Sequence, residues 1–255
     1  MNEDVQNPFA TAEGARRYQR GRPFHHPRSL EKIFGLLERT RVTRALDVAC
    51  GTGLSTVALA DRADLVVGVD ATEAMVAVAP HGTNIFYSVA QAERLPFKSR
   101  VFDLVTVASG VHWFQQSDFF AEAARVLDRG GALAFYDHPL EGAVDEPAID
   151  GWLEQTFERR YPTPAHGSRP DRDLGHPAEY VELGALDFDD DIWFTHDEFV
   201  LYLMSNSNTI SANAEGRETA EETQTCLRAE TERWFAGGAL HKFRFRGIIR
   251  CFRLV

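Results

Sequence analysis

The sequence predicts an α/β fold, a doubly wound and mainly parallel sheet of seven strands with helices on both sides. The first five predicted strands are short, nearly continuous apolar runs, which is typical of strands buried on both faces. They lie at 43–49, 65–69, 85–89, 102–107 and 132–136. Helical patterns alternate with these runs, as crossovers between parallel strands require. A glycine-containing turn directly after the first strand is the third observation, because doubly wound sheets bind ligands beside such a turn.

Composition places the chain among folded globular proteins. Its 255 residues are 44% hydrophobic and 11% aromatic, which is ordinary for that class. The net charge of −11 and the pI of about 5.3 disfavour a nucleic-acid substrate, since an acidic surface repels phosphates. No apolar run reaches the ~18 residues of a membrane helix, and Met1–Gln6 is polar and acidic, unlike a signal peptide. We therefore expect a cytoplasmic protein without a membrane partner.

No residue pattern indicates a metal site. The three cysteines, Cys50, Cys226 and Cys251, lack metal-ligand spacing and indicate a reducing compartment. Three successive aspartates at 189–191 lie on a predicted strand, where adjacent side chains point to alternate faces and do not converge on an ion. We expect these aspartates to form a solvated edge.

The chain before the first strand is predicted to form an arm and then a helix. Residues 12–20 have a helical pattern, and a cluster of breakers follows at 22–27. Ser29 is predicted to cap a helix that continues to about Arg39, because apolar residues recur after it with helical spacing.

The turn after the first strand is the most informative stretch. Residues 47–53 read DVACGTG, and the second strand ends on Asp70. Because the carboxyl ends of parallel strands meet at one edge of a sheet, we expect the turn and this carboxylate to lie side by side. Gly51 and Gly53 let the backbone approach a ligand closely. The helix at 54–60 points its N-terminal amides at that ligand, and Asp70 can accept both hydroxyls of a ribose.

A nicotinamide dinucleotide site is the rival interpretation. Its fingerprint, G-x-G-x-x-G, uses a third glycine to pack the helix closely on the strand. Thr56 stands at that position. The threonine opposes this interpretation, which would make the protein an oxidoreductase and which stays open here.

The stretch D-x-A-C-G-T-G resembles motif I of class I S-adenosylmethionine-dependent methyltransferases, of the UbiE-like and trans-aconitate methyltransferase-like small-molecule kind. Two further stretches are similar to the same family: A-E-x-L-P-F at 92–97 and R-V-L-x-x-G-G at 125–131. With Asp70 they occur in the family's order and span residues 45–136. The resemblance implies the Rossmann-like class I methyltransferase fold, S-adenosyl-L-methionine as cofactor and S-adenosyl-L-homocysteine as product.

The resemblance also implies which residues contact the cofactor. The glycine turn meets its methionine and ribose parts, and the loop after the third strand frames the adenine. Gln91 stands where the family often has Asp, and its carbonyl can still accept from the adenine amino group. Glu93 has an alternative, structural role in holding that loop through backbone amides. The predicted cofactor-binding residues are Tyr18, Arg22, Asp47, Ala49, Gly51, Gly53, Asp70, Ala71, Met75, Gln91, Ala92, Glu93 and Ser109.

Residues 18–24 are similar to the Y-x-x-x-R-P-x-Y stretch that precedes the core in many small-molecule methyltransferases. In this interpretation Tyr18 and Arg22 contact the cofactor's carboxylate or the substrate from an arm that closes as a lid. Packing and capping are the alternative roles of these two residues.

The triplet H-W-F at 112–114 looks like the trans-aconitate methyltransferase-like and juvenile-hormone-acid methyltransferase-like enzymes, which methylate carboxylates or other groups of small metabolites. His112 is predicted to act as a base or to orient the substrate, and a structural imidazole is the equal alternative. Trp113 and His138 are predicted to contact the substrate.

Four segments are predicted. They are an N-terminal lid at 1–27, a cofactor-binding core at 28–195, a helical cap at 196–238 and a closing strand of the core at 239–255. The cap would choose the substrate, and a loop rich in Pro, Gly and charge is predicted at 161–176.

The sequence therefore favours transfer of a methyl group to a small molecule, with an oxygen atom, in particular a carboxylate, as the acceptor. A carboxylate needs no catalytic base. Two alternatives stay open: methylation at nitrogen or carbon, and a regulatory protein that binds the cofactor without turnover.

Overall fold

The computed structural model describes residues 9–163 and 179–255. The predicted polar start, Met1–Gln6, and most of the predicted loop at 161–176 lie outside these ranges. No helix in the described part of the chain is long and apolar enough to cross a membrane.

The described residues form eight strands and ten α-helices. The strands are β1 (Val42–Val48), β2 (Ala63–Asp70), β3 (Ile85–Val89), β4 (Phe102–Ala108), β5 (Leu127–Asp137), β6 (Leu140–Ala143), β7 (Tyr180–Phe194) and β8 (His241–Leu254). The helices are α1 (Ala12–Gly21), α2 (His26–Leu36), α3 (Leu54–Ala60), α4 (Glu73–Val76), α5 (Gln116–Val126), α6 (Pro147–Trp152), α7 (Glu158–Arg160), α8 (His196–Met204), α9 (Ser207–Ala214) and α10 (Ala220–Thr231). Single turns of 3-10 helix occur at Val111–Trp113 and Ala236–Gly238, and Leu153–Phe157 is π-helical. All seven predicted strands are present, and β6 is an additional one.

These elements group into two compact units. The core unit contains described residues 24–138, 179–188 and 247–255, and the helical unit contains 9–23, 139–163 and 189–246. These boundaries differ from the four predicted segments, because residues 139–163 pack with the later helices. Strands β7 and β8 contribute residues to both units.

In the core unit the strand order is β3-β2-β1-β4-β5-β8. The first five strands of this order are parallel, and β8 runs antiparallel to β5, with Ala132 opposite Arg253. The parallel strands therefore end at one edge, which is where ligands bind in open α/β sheets. This arrangement confirms the predicted doubly wound α/β fold.

Both faces of the core sheet are buried. On β1, Ala45 packs into a cluster with α2 and α3, whereas its neighbour Leu46 packs into a second cluster that contains Phe119 of α5. Adjacent residues of a strand point to opposite faces, so helices cover both sides of the sheet. The continuous apolar runs in the sequence have this physical cause.

The helical unit has its own core of aromatic side chains. Trp152 of α6 and Phe199 of α8 belong to a cluster that also includes Phe243 from the start of β8. Helix α1 lies against α8 at Gly21, where an added Cβ would collide with the carbonyl oxygen of Leu201. Only glycine permits this close approach of two helix backbones.

Several element boundaries differ from the sequence prediction. Helix α2 begins at His26, with Pro27 in its first turn, so Ser29 lies inside the helix and does not cap it. Helix α4 is a single turn that ends at Val76. Within the predicted cap, α9 ends at Ala214 and α10 begins at Ala220, and Gly216 adopts a φ of 71° between them.

One buried carboxylate ties three elements of the core together. The side chain of Asp47, at the end of β1, is fully buried. It accepts hydrogen bonds of 2.6 and 2.7 Å from Ser55 and Thr56 of α3 and one of 2.9 Å from Thr106 of β4. Burial raises the pKa of Asp47 to about 6, because the three hydroxyl groups offset only part of the lost hydration.

This raised pKa predicts how the stability of the protein depends on pH. Folded Asp47 keeps its proton up to about pH 6, whereas in the unfolded chain it titrates near ~4. Between these values the folded state binds more protons, so stability falls as the pH rises. We expect the free energy of unfolding of the wild type, minus that of Asp47→Asn, to fall between pH ~4 and ~7 by up to about 3 kcal/mol.

Urea denaturation across this pH range measures the difference. Asp64→Asn is the matched control. Asp64 lies at the start of β2, at the edge of the sheet opposite to Asp47, and it is largely exposed and forms an ion pair with Arg41. A wild-type minus Asp47→Asn difference that stays constant or grows with pH would contradict the assignment.

Candidate functional site

The glycine turn and Asp70 meet at the carboxyl edge of the sheet. Val48 lies opposite Val69 in the parallel pair of β1 and β2, so the residues after them are neighbours. The Gly51 amide donates to one carboxylate oxygen of Asp70 at 2.9 Å, and the Thr72 amide donates to the other at 2.8 Å. The glycine turn and Asp70 therefore lie side by side, as the sequence predicts.

Asp70 combines partial burial with remaining hydrogen-bonding capacity. Burial raises its pKa, and the amides of Thr72 and Gly51 oppose that shift because they stabilise the charged form. A carboxylate has about four acceptor positions, and two of them hold backbone amides. The Thr72 side chain also hydrogen-bonds this carboxylate, and the remaining acceptor capacity is open to a hydroxyl of a ribose.

The turn itself has an unusual backbone. Ala49, Gly51 and Gly53 have φ values of 55°, 53° and 80°, in the left-handed region. A non-glycine residue there is strained, and such strain is concentrated at functional sites. Backbone strain at Ala49 is therefore consistent with its predicted place in a ligand site.

The two glycines serve a purpose that the sequence did not indicate. An added Cβ on Gly51 would lie 3.3 Å from the terminal methyl of Met75, and one on Gly53 would collide with the hydroxyl of Tyr87. Tyr87, on β3, also donates to the carbonyl of Pro80 at 3.0 Å. The missing side chains thus make room for protein groups that support the turn, and Tyr87 is a support that carries no motif.

Two predicted cofactor contacts lie inside the protein. Asp47 exposes none of its surface, and Met75 exposes 5%. Asp47 is bound to the three hydroxyls already described, so it supports the turn from below and its side chain is not open to a direct ligand contact. Met75 remains adjacent to Gly51 on the inner side of the turn.

The predicted adenine-side residues are Gln91 and Ala92 in the loop after β3 and Ala71 directly after β2. Ala71 and Gln91 are exposed, and Ala92 is buried. Within the described residues, no protein acceptor takes the Ala92 amide, which leaves that donor available to a ligand. The Glu93 carboxylate accepts the backbone amide of Gln115 at 2.8 Å, which is a structural contact. The predicted contact of Glu93 with the cofactor stays a prediction.

An ion pair on α5 holds the far end of this loop. Glu122 accepts the Leu95 amide at 2.8 Å, and Arg125 donates to the carbonyls of Leu95 and Phe97 at 3.0 and 2.7 Å. The two side chains also bond each other at 2.7 Å, which lowers the pKa of Glu122. Arg125 belongs to the R-V-L motif, whose residues the sequence analysis did not place at this loop.

The end of β4 contacts the glycine turn. Gly110 lies so close to Ala49 that an added Cβ would be 2.6 Å from the alanine methyl. The preceding residue, Ser109, has a φ of 52° and donates a short hydrogen bond to Asp137 at the end of β5. Ser109 is exposed and therefore stands at the predicted edge, beside the turn.

His112 and Trp113 form a short turn of 3-10 helix directly after β4. Their ring centroids are 5.3 Å apart, and the Trp113 side chain is 40% exposed. The imidazole of His112 is half-buried. An exposed indole at this edge can cover one side of a bound small molecule.

His138 lies in a group of imidazole side chains that the sequence does not predict to be close together. Its ring stacks on His25 with centroids 4.4 Å apart and an interplanar angle of 9°, and its Nε2 lies 3.1 Å from the hydroxyl of Ser29. Beside it, His26 bonds the hydroxyl of Tyr136 at 2.9 Å. Burial, with a smaller contribution from His25, lowers the pKa of His26 to about 3, so that imidazole is neutral.

Tyr18 and Arg22 belong to the helical unit. The Arg22 guanidinium lies 4.9 Å from the ring centroid of Tyr18 and 5.7 Å from that of Tyr202, as cation–π contacts. Their predicted contact with the cofactor or the substrate stays a prediction.

A buried hydroxyl within the turn has no protein partner. Thr52 is 1% exposed, and within the described part of the chain its hydroxyl forms no hydrogen bond. Buried polar groups are almost always satisfied, so this atom fits a site that gains a polar group when a ligand binds. With Asp70 and the Ala92 amide, the core unit offers acceptors and donors suited to a nucleoside, and these residues fit the predicted cofactor.

Comparison with known proteins agrees with this geometry. Residues 46–135 match the family model described as a methyltransferase domain. An uncharacterized methyltransferase of Mycobacterium tuberculosis is 34% identical over 159 residues, which are 61% of this chain and 59% of that protein. A malonyl-[acyl-carrier protein] O-methyltransferase of Geobacter sulfurreducens is 38% identical over 117 residues, 42% of this chain and 44% of that protein. The chain thus spans less than two thirds of the length of these relatives.

A solved structure shows the same fold over most of the chain. It comes from Anaeromyxobacter dehalogenans, is assigned as a type II methyltransferase and has a TM-score of 0.67 at 26% identity. The match covers 91% of this chain and 96% of the other. Residues 46–135 are therefore similar to a methyltransferase domain, and the described residues have the Rossmann-like fold of class I methyltransferases.

Proposed function

We propose that this protein transfers a methyl group from S-adenosyl-L-methionine to an oxygen atom of a small molecule, with a carboxylate as the favoured acceptor. The observation that carries the proposal is the Asp70 carboxylate, held 2.9 Å from the Gly51 amide with acceptor positions to spare. This pairing of a strained turn with an acid at the next strand end suits a ribose.

The donor side of the site is built from the edge of the core sheet. Asp70 would accept the ribose hydroxyls, while Ala71, Gln91 and the amide of Ala92 would border the adenine. The turn at 49–53 and Ser109 would face the methionine part. Asp47, Met75 and Glu93 would support these groups without touching the ligand.

When bound, S-adenosyl-L-methionine supplies a methyl group that is already activated by its sulfonium. The protein's contribution is alignment and exclusion of water, and oriented reactants reach effective molarities of ~10⁵ M or more. Fixed contacts at Asp70 and the turn would hold the donor, and the acceptor-side residues would hold the nucleophilic oxygen in line with it.

The acceptor side would comprise His112, Trp113 and His138. Trp113 is exposed enough to pack against a small molecule, and His138 stands in the imidazole group with His25. These imidazoles can donate hydrogen bonds to an acidic oxygen, as binding of a carboxylate requires. The O-methyltransferase among the relatives supports oxygen as the acceptor atom.

Direct binding tests the donor. Isothermal titration of the protein with S-adenosylhomocysteine should show saturable binding, and NAD should show none because Thr56 occupies the third-glycine position. No binding of S-adenosylhomocysteine at millimolar ligand would end the proposal. A methyl-transfer assay over a panel of carboxylic acids and phenols then separates an enzyme from a regulatory protein that binds without turnover.

Replacement of Asp70 tests the ribose contact. Asp70→Ala should weaken S-adenosylhomocysteine binding by a few kcal/mol, since hydrogen bonds to a charged group contribute ~1.5–3 kcal/mol each. Asp64→Ala is the control, at the exposed opposite end of the same strand. Circular dichroism checks that the variant is folded, because the mutation also removes the partner of the Gly51 amide. Wild-type affinity in folded Asp70→Ala would contradict the assignment.

Replacement of His112 separates orientation from base catalysis. For an acceptor found in the panel, we expect His112→Ala to leave S-adenosylhomocysteine affinity unchanged. The acceptor's kcat/KM should fall about three- to tenfold, the effect of one hydrogen bond. For a carboxylate the loss should lie mainly in KM, whereas loss of a base would lower kcat and change its pH profile. Ser117→Ala, on the exposed start of α5, is the control; an unchanged kcat/KM in His112→Ala would remove this residue from the site.

A further inference from the structure

We propose that Glu93 is a positioning residue that couples the donor side of the site to the acceptor side. The inference rests on the proposed function. Two segments of the core unit meet at its carboxylate: the loop at 90–97, which would border the adenine, and the segment at 110–115, which carries His112 and Trp113. The bond from the Gln115 amide to Glu93, 2.8 Å long, joins residues 22 positions apart.

The loop at 90–97 is hydrogen-bonded at both ends, and Ala92 in its middle packs into the buried core. At its start, the Ala90 amide donates to the carbonyl of Asp70 at 3.1 Å. At its far end, Glu122 and Arg125 hold Leu95 as described. Between these anchors, the described structure has one backbone hydrogen bond, from the amide of Arg94 to the carbonyl of Gln91 at 3.1 Å, besides the contact of Glu93 with Gln115. A ligand that contacts residues 91–92 would therefore fix the position of the next residue, Glu93.

The second segment is likewise held at its two ends. It begins after Ser109, which bonds Asp137, and it ends at Gln115, the residue before α5. The Gln115 side chain makes no capping hydrogen bond to the helix. The Glu93 carboxylate thus lies at the positive end of an 11-residue helix, where a negative charge is favourable. Between these two contacts, Val111 is buried in the core and Trp113 is 40% exposed.

Coupling follows from this arrangement. If donor binding restricts Glu93, it also restricts Gln115 and the turn that presents Trp113 to the acceptor. Coupling between two binding sites is reciprocal, so an acceptor that packs on Trp113 should strengthen donor binding by the same factor. Loss of Glu93 should leave two sites that bind independently.

The fluorescence of Trp113 reports this coupling without knowledge of the acceptor. Acrylamide quenching is measured with and without saturating S-adenosylhomocysteine. The contribution of Trp113 is obtained by subtracting the signal of Trp113→Phe, which retains the tryptophans at 152, 193 and 234. In the wild type we expect the ligand to reduce quenching of Trp113.

Three variants isolate the contact. In Glu93→Ala the ligand should still bind, and its protection of Trp113 should be lost. Glu93→Gln should retain part of the protection, because an amide carbonyl can still accept from the Gln115 amide. Glu31→Ala, an exposed glutamate on α2, should behave as the wild type. The Glu93→Gln variant keeps the test valid if Glu93→Ala does not fold.

The outcomes distinguish this inference from the function on which it rests. Wild-type protein that binds S-adenosylhomocysteine without protecting Trp113 would overturn the coupling, and so would full protection in folded Glu93→Ala. Absence of S-adenosylhomocysteine binding to the wild type would instead overturn the proposed function, and the coupling with it. Protection that is lost in Glu93→Ala and partly kept in Glu93→Gln would establish the coupling.

Discussion

The hydrogen bond from the Gly51 amide to Asp70 is the interaction on which the site depends. It closes the gap between two neighbouring strand ends and fixes the glycine turn against an acidic side chain. Burial disfavours a charged Asp70 and raises its pKa, and the amides of Gly51 and Thr72 oppose that shift because they stabilise the charged form. A carboxylate stabilised by fixed backbone dipoles is organised before any ligand arrives, so binding need not reorder the turn.

A second carboxylate, one strand away, has a different role because its surroundings differ. Asp47 is buried among three hydroxyl groups, which link the end of β1 to α3 and β4. Asp70 stands at the rim with acceptor capacity left over. The inner acid therefore holds the base of the turn and the outer acid faces the ligand side, although both belong to similar apolar strands.

The proposed acceptor side of the site depends on contacts between segments far apart in the chain. His25 and Ser29, at the start of α2, meet His138 after β5, more than 100 residues later. Glu93 reaches Gln115 from the loop of another strand. In the coupling that we propose, a ligand on either side would strengthen or weaken these few side-chain hydrogen bonds.

The sequence by itself determined the seven strands, their order of appearance, the helix after the turn and the resemblance of residues 45–136 to methyltransferases. The spacing of apolar residues and the residue types that form turns can be read from neighbouring positions in the chain. It missed the role of Ser29, the early start of β5 at Leu127 and the support given by Tyr87. Each of these depends on a partner that only the strand order brings close: His138, Phe102 and Gly53 respectively. The tertiary structure decided them because a hydrogen bond or a steric gap exists only once distant segments share one edge of the sheet.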